Sequence, residues 1–365
     1  MTIIQQKNKI SDKKKRSRQH PREEDIRGPY FRDLTAILHS QAFRRLKHKT
    51  QVFFSPENDH ICTRIEHSLH VSTIAATISK ALDLDTELAQ AIGLGHDLGH
   101  APFGHKGEKV LRQITDINFL HELHSLRVAD DIENYGQGIN LTYAVRDGIA
   151  SHCGEKDEQV IELASPPNDL LDLNSLPRSP STLEGCVVRI SDSIAYLGRD
   201  LEDAMVADLI DKEDIPEVLK KSLGTDNSTI IKNLVYDVID WSKKNHKIGF
   251  SEEKFELVQE LKNFSRKTIY GHPKMQYWND YSEFVIKTLK NYLEYYFKKY
   301  GFDFAKYYND CPALVKKFGK FIESLKHLYT EDDFDRIICD YIAGMTDNYA
   351  LNCLEYILSS GTSGF

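Results

Sequence analysis

Apolar residues along most of this chain recur every three or four positions, and that spacing constrains its architecture more than any other feature. A period near 3.6 places them on one face of an α-helix, whereas a half-buried strand needs strict alternation. The stretch "TRIEHSLHVSTIAATISKAL" (63–82) carries a stripe through His67, Val71, Ile74 and Ile78. "DTELAQAIGLGHDLGH" (85–100) opens on Asp85, a good N-cap, with Glu87 in the first turn. "TLEGCVVRISDSIAYLGRDLEDAMVADLI" (182–210) sets Val188, Asp192, Ala195 and Arg199 on one face. Two more helical patterns occupy 280–300 and 330–354, while alternation is confined to a hairpin pattern around "KTQVFFSPENDH" (49–60). Four prolines mark 164–181 as a surface loop. The expectation is an all-α protein: a flexible arm over 1–22, a site-bearing core over 23–210, and a C-terminal helical lobe over 211–365.

Bulk properties narrow the function classes. With 365 residues, 41% hydrophobic and 28% charged, the chain is globular and can bury one large core or two modest ones. No run of eighteen apolar residues offers a membrane span, and the basic first twenty residues lack the apolar segment of a secretory signal. Six cysteines (62, 153, 186, 311, 339 and 353) form no CxxC pair, which points to reduced thiols and a cytoplasmic location. Residues 1–22 hold eight Lys/Arg against one acid, Asp12, so at a net −8 the remainder carries about −15. The arm reads either as a solvated tail or as a contact to nucleic acid or an acidic subunit. The acidic body argues against a general nucleic-acid binder.

Twelve of the fifteen histidines precede residue 153, which centres any chemistry in the first half. The densest stretch, "GLGHDLGHAPFGHKGE" (93–108), holds three histidines, an aspartate, a glutamate and five glycines in sixteen positions. His67, His96, Asp97 and Asp192 lie in apolar helical surroundings, where an unpaired buried polar group costs roughly 1–3 kcal/mol. Each alone reads as a hydrogen-bonded core residue. Together, two imidazoles and two carboxylates on three helices suit a borderline divalent ion such as Mn²⁺, Fe²⁺, Zn²⁺ or Mg²⁺. Adjacent His96 and Asp97 can both reach it at a helix end loosened by Gly95 and Gly99.

These residues resemble the H…HD…D motif of the HD-domain phosphohydrolases. The likeness extends to the dGTPase-like deoxynucleotide triphosphohydrolases through "SQAFRRLKHKTQVF" (40–53), "TRIEHSLHV" (63–71), "HDLGHAPFGHKGE" (96–108), "STLEGCVVRISDSIAYLGRDLEDA" (181–204) and "DYIAGMTDNYA" (340–350). It spans roughly residues 22–350 in the family's order.

The resemblance implies an HD-domain helical core with one divalent metal per site (Mn²⁺, Mg²⁺ or Fe²⁺) held by His67, His96, Asp97 and Asp192. It implies cleavage of a dNTP at the α-phosphorus to 2′-deoxynucleoside and inorganic triphosphate. The leaving 5′-oxygen needs a proton donor, a role matched by His105 with Glu108. His100, His121 and Arg64 match phosphate contacts, although Arg64 alone would read as a salt bridge. Tyr196 matches a residue beneath the deoxyribose, or else simple core packing. Asp200 and Gln51 match ligands of the 3′-OH. Ser193 departs from relatives with a lysine there, leaving triphosphate charge for other bases, with Arg45 or the C-terminal lobe as candidates. His70, His124 and His152 receive no role. Family likeness further implies a homo-oligomer, tetrameric or hexameric, and nucleotide activation at a subunit interface. Two other readings stand beside it: an HD-type phosphodiesterase or alarmone hydrolase, and a nucleotide-sensing, nucleic-acid-binding regulator that keeps the HD site for structure.

Overall fold

Helices account for nearly all of the architecture in the computed structural model of the chain, which describes residues 10–53, 58–154, 157–171, 179–309 and 311–360. The three central helices are Arg64–Ala81, Thr86–Gly95 and Leu183–Val206, which pack on one another. Asp85 caps the second by accepting from the Leu88 amide at 3.0 Å. Val71, Ala75, Ile78, Leu88, Ile92, Val188 and Ile194 are fully buried between them. Each of the larger aliphatic side chains contributes about 1.5–3 kcal/mol by leaving water.

The hydrophobic residues divide into two cores, and the division differs from a boundary at 210/211. One core runs from Ile10 through Leu201 and on to Ile269, so helices Asn227–Asn245 and Glu252–Ser265 belong with the first half. The second combines residues 285–354 with Ala101, Phe103, Val110, Leu111 and Phe119, taken from the middle of the expected site-bearing core. Periodicity shows that a face is buried; it does not show which partner covers it.

Other expectations are modified as well. Around 49–60 no hairpin ladder forms among the described residues (54–57 lie outside them). There is only a single bridge between Thr50 and Thr63. The Thr50 amide is taken instead by distant Asp347, and the Lys49 ammonium ties the same segment to the buried Ala343 carbonyl at 2.6 Å. Among the described residues the one two-stranded sheet pairs Val160–Ile161 antiparallel with Ile248–Gly249. The 330–354 pattern is two helices, Phe334–Ala343 and Asp347–Ser360, broken so that Asp347 begins the second. Loop 164–181 is irregular where described, but its ends are tied inward: Ser181 and Asn168 both donate to buried Asp147.

Residues 10–20, within the arm expected to be flexible, touch the body at several points. Ile10 is buried, and the Arg18 guanidinium reaches Asp33 Oδ1 at 2.5 Å and the Asn140 and Pro29 carbonyls. The Tyr143 amide donates to Ser17 O at 2.7 Å. Charge composition alone could not separate a solvated arginine from one aimed at a buried aspartate. Residues 1–9 lie outside the described set. All six cysteines are free, and no helix among the described residues is long and apolar enough to cross a membrane.

Candidate active site

The first turn of helix Arg64–Ala81 is set by Glu66, whose carboxylate accepts from the Thr63 amide at 2.8 Å. That orients Arg64 and His67, one turn apart, toward the end of the neighbouring helix. There His96 donates Nδ1–H to the Gly93 carbonyl at 2.8 Å, which turns Nε2 inward. His67 Nε2 lies 2.9 Å from Asp192 Oδ1; His96 Nε2 lies 3.9 Å from the same oxygen and 3.5 Å from Asp97 Oδ2. The four residues expected as ligands therefore converge from three helices. With bonds of about 2.0–2.2 Å, donor atoms around one divalent ion sit about 3.0–3.5 Å apart, so these separations suit such an ion after small side-chain adjustments.

The electrostatics favour ionised carboxylates. Burial opposes charge on Asp192, but the hydrogen bond from His67 and the nearby rings of His96 and His152 hold its carboxyl well below the usual range. Asp97 is likewise held down against burial by His96, Arg64, His100 and His121; Arg64 Nη1 sits 2.6 Å from its Oδ2.

A second group centres on Glu108 in helix Gly104–Ile114. Its Oε2 faces Nδ1 of His121 at 3.0 Å and Nδ1 of His105 at 3.3 Å, while Oε1 accepts from Arg112 Nη2 at 2.7 Å. Against the effect of burial, the His105 and His121 hydrogen bonds keep Glu108 well below the ordinary glutamate range. His105 itself is open to solvent, with 71% of its side chain accessible. His100 stacks on His121 at 4.4 Å, and neither of its buried ring nitrogens has a partner. Burial, with Arg64 and His121 adding to it, drives the His100 pKa well below its ordinary value and leaves the ring neutral. Gln51 Oε1 is also buried and unpartnered. Unsatisfied polar atoms of this kind suit a site that completes itself with a polar ligand.

Two glycines make the loop between the groups possible. A Cβ on Gly99 would stand 2.2 Å from the Ser125 amide nitrogen, so only glycine lets helix His121–Arg127 approach. Gly104 has φ +61° and follows Phe103 at φ 62°, a left-handed pair that turns the chain into the His105 helix. The Phe103 amide is pinned by Asp347 at 3.0 Å, so the C-terminal lobe holds this turn.

Both groups border one cavity of about 240 Å³, whose lining includes Gln51, Arg64, His67, His105, His121, Asp192 and Tyr196. A larger cavity of about 400 Å³, lined by Lys47, His48, Asn58 and Glu66 among others, contains none of the convergent histidines.

Several placements depart from expectation. Arg45 does not line this cavity and stands 3.8 Å from Glu133. Asp200 does not line the cavity; it accepts a hydrogen bond from the Tyr270 hydroxyl, and burial pushes its acid up to about 7. His124 is structural, bridging the Gly99 carbonyl at 2.7 Å and Asp340 at 3.2 Å.

Conversely, Arg189, Lys262, His152 and Cys153 line the cavity without having been expected there. Lys262 Nζ lies 3.4 Å from Ser193 Oγ and 5.6 Å from the centre of the Tyr196 ring, with Asp157 as its ion partner. An ammonium thus stands beside Ser193, delivered from another helix. Arg189 lies three residues before Asp192 on the same helix, a spacing that could have found it; Lys262 carried no sequence signal.

Comparison with known proteins now adds to this geometry. Residues 64–197 match the HD domain and residues 248–355 the phosphohydrolase-associated domain. A deoxyguanosinetriphosphate triphosphohydrolase-like protein of Caldanaerobacter subterraneus subsp. tengcongensis is 40% identical over 342 residues, covering 93% of this chain and 88% of its own. The chain belongs to this HD-domain family. Similar proteins of the same description occur in Desulfatibacillum aliphaticivorans (37% identical, 91% of this chain, 88% of its own) and Clostridium tetani (35%, 90% and 85%). As an HD-domain phosphohydrolase of the metal-dependent class, the chain presents clustered His, Asp and Glu groups able to hold a divalent ion. The phosphohydrolase-associated match supplies Phe250, Phe255 and Lys262 to the cavity wall.

Proposed function

We propose that this protein is a deoxynucleoside triphosphate triphosphohydrolase, releasing 2′-deoxynucleoside and intact triphosphate from a dNTP, dGTP among them. One observation carries the reading: His67, Asp97 and Asp192 of the ligand set line a single cavity together with His105 and His121, both held by Glu108, and that cavity also receives Arg64, Arg189 and Lys262. The relatives' names, which specify deoxyguanosine triphosphate, agree with it.

A divalent ion held by His67, His96, Asp97 and Asp192 would supply Lewis-acid polarisation of the scissile phosphate. The chain's own groups perform the rest. Attack of a water oxygen at the α-phosphorus, with loss of a water proton to solvent, expels the sugar 5′-oxygen, a poor leaving group that must be protonated. Glu108 fixes Nδ1 of His105, so Nε2 carries the transferable proton, and solvent replenishes it at this exposed ring. Arg64, locked by Asp97 and the Gln51 carbonyl, presents a preorganised guanidinium to the phosphates. His121, the single N–H of neutral His100, and Lys262 add donors around the same charge. Tyr196 forms the floor beneath the sugar, where a 2′-OH would collide, and Gln51 Oε1 accepts from the 3′-OH. Asp200 acts from behind through its bond to Tyr270, bracing the Tyr196 wall.

The deciding experiment incubates each dNTP and rNTP with protein and Mn²⁺ or Mg²⁺ and separates the products. Nucleoside plus tripolyphosphate from dNTPs is expected. Orthophosphate or pyrophosphate with a nucleotide, or turnover of cyclic or alarmone nucleotides alone, would refute the proposal.

A further inference from the structure

A cavity of about 230 Å³ lies between helix Gln41–Arg45, segment 128–135 and the C-terminal lobe, and it shares no lining residue with the catalytic cavity. Its wall is largely apolar, built by Val128, Ile132, Phe321, Leu325 and Met345. Arg45 is its single cationic side chain among the described residues. The guanidinium Nε is buried without a partner, and the Glu133 carboxylate stands 3.8 Å from Nη2, beyond a hydrogen bond. Glu133 is already engaged, because its oxygens accept from the Gln41 and Ala42 amides at 3.0 and 2.8 Å. Burial lowers the Arg45 pKa and Glu133 offsets that only in part. A guanidinium nevertheless stays charged in a protein, so a poorly compensated cation borders an apolar space. The same wall carries Tyr341, 8% exposed, whose hydroxyl oxygen is likewise buried without a partner. Burial, with Tyr349 beside it, holds this phenol well above its ordinary pKa, so it remains a donor. Two orphaned donors on one cavity call for an acceptor that the chain does not supply.

Charge and size define that acceptor. One guanidinium, with the carboxylates of Glu133 and Asp340 on the same wall, suits a single negative charge and repels a triphosphate. At ~30 Å³ per water the cavity equals roughly eight waters, room for on the order of ten non-hydrogen atoms and too small to enclose a nucleotide. A carboxylate is planar and takes two parallel bonds from a guanidinium. The apolar wall calls for an apolar body behind it.

We propose that this cavity is an effector site for a small monoanionic carboxylate with an aromatic or branched aliphatic body. The carboxylate accepts from Arg45 and Tyr341, and the body packs on Val128, Ile132 and Phe321. Asp340 carries the effect inward: its carboxylate accepts from Arg127 at 2.7 Å and from the Tyr329 hydroxyl at 2.8 Å, and faces His124 Nε2 at 3.2 Å. Arg127 and His124 belong to helix His121–Arg127, whose first residue lines the catalytic cavity. A ligand packed against Val128, Ile132 and Asp340 therefore stiffens the support of His121. The site stands on its own geometry and does not depend on which nucleotide is hydrolysed.

The test titrates full-length protein with phenylacetate by isothermal calorimetry, with phenylacetamide as the neutral isostere. Saturable binding of one phenylacetate per chain is expected. Affinity should be weaker by roughly tenfold or more for the amide and for Arg45→Gln, the effect of losing a charge-assisted hydrogen bond. Tyr341→Phe should weaken it several-fold. Phenylacetate should also slow amide hydrogen exchange over residues 121–127 in the wild type. No saturable binding, equal affinity for acid and amide, undiminished affinity in Arg45→Gln or Tyr341→Phe, or unaltered exchange over 121–127 would each overturn the proposal. Should the variants fail to fold by circular dichroism, the acid–amide comparison and the exchange map on wild-type protein decide alone.

Discussion

Replacing Glu108 by Gln changes one oxygen to an amide in a position where every neighbour is a donor. His105 and His121 approach Oε2, while Arg112 and the His121 amide approach Oε1. Glutamine offers a single acceptor, so its NH₂ must face either the two imidazole N–H groups or the guanidinium. Hydrogen bonds to a charged group contribute about 1.5–3 kcal/mol each, but Arg112 is substantially exposed and its contact is screened; a net destabilisation of about 2 kcal/mol follows. The catalytic effect is larger. Without a fixed anion His105 loses its orientation, and kcat should fall roughly 10²–10⁴-fold, the range for a general acid. Metal content should stay at the wild-type level, because Glu108 is not in the ligand set. The assay is kcat and KM for dGTP with Mn²⁺, alongside elemental analysis and thermal unfolding. A double variant sharpens it: if Glu108 acts through His105, then His105→Ala/Glu108→Gln should be no slower than His105→Ala alone. Additive losses, or a Glu108→Gln enzyme of normal rate, would refute the relay; metal loss in this variant would make Glu108 a ligand.

Four further outcomes are expected. Asp192→Asn should lose the bound metal and turnover with the helical circular dichroism unchanged; full activity at unchanged metal content would remove it from the ligand set. Tyr196→Ala should lower dNTP turnover yet raise the rNTP/dNTP ratio of kcat/KM, whereas proportional losses would make Tyr196 a packing residue only. Arg18→Ala leaves Asp33 buried with only Thr142 and should destabilise the fold by about 3 kcal/mol; an unchanged denaturation midpoint would mean the docked arm contributes nothing. Asp200 has a folded pKa raised to about 7. Its burial penalty is therefore absent below the unfolded value of about 4, grows as pH rises, and is complete above about 7. Asp200→Asn should gain stability relative to wild type across that window, and parallel pH–stability curves would contradict it.

The helices were legible because periodicity is a local property, and the residues proposed as metal ligands stood out for a local reason too. His67 and Asp192 announced themselves as polar residues in apolar stripes, and the His96–Asp97 pair sits where two glycines end a helix. Glu108 three residues after His105 is a spacing that any helix converts into a contact. What tertiary structure decided is which distant surfaces meet. Lys262 reaches Ser193 across 69 positions, Asp347 pins the amide of Phe103 across 244, and Arg18 finds the Asn140 carbonyl across 122. Nothing in a 3.6-residue period specifies such partners, because a helix face records that it is buried and not what lies against it. The same limit hid the partner of Asp200: its place one turn beyond Tyr196 was plain, but only packing of the later helices supplied the Tyr270 hydroxyl. A buried group's chemistry depends on the atoms around it, and those atoms arrive from chain segments whose approach only the folded packing determines.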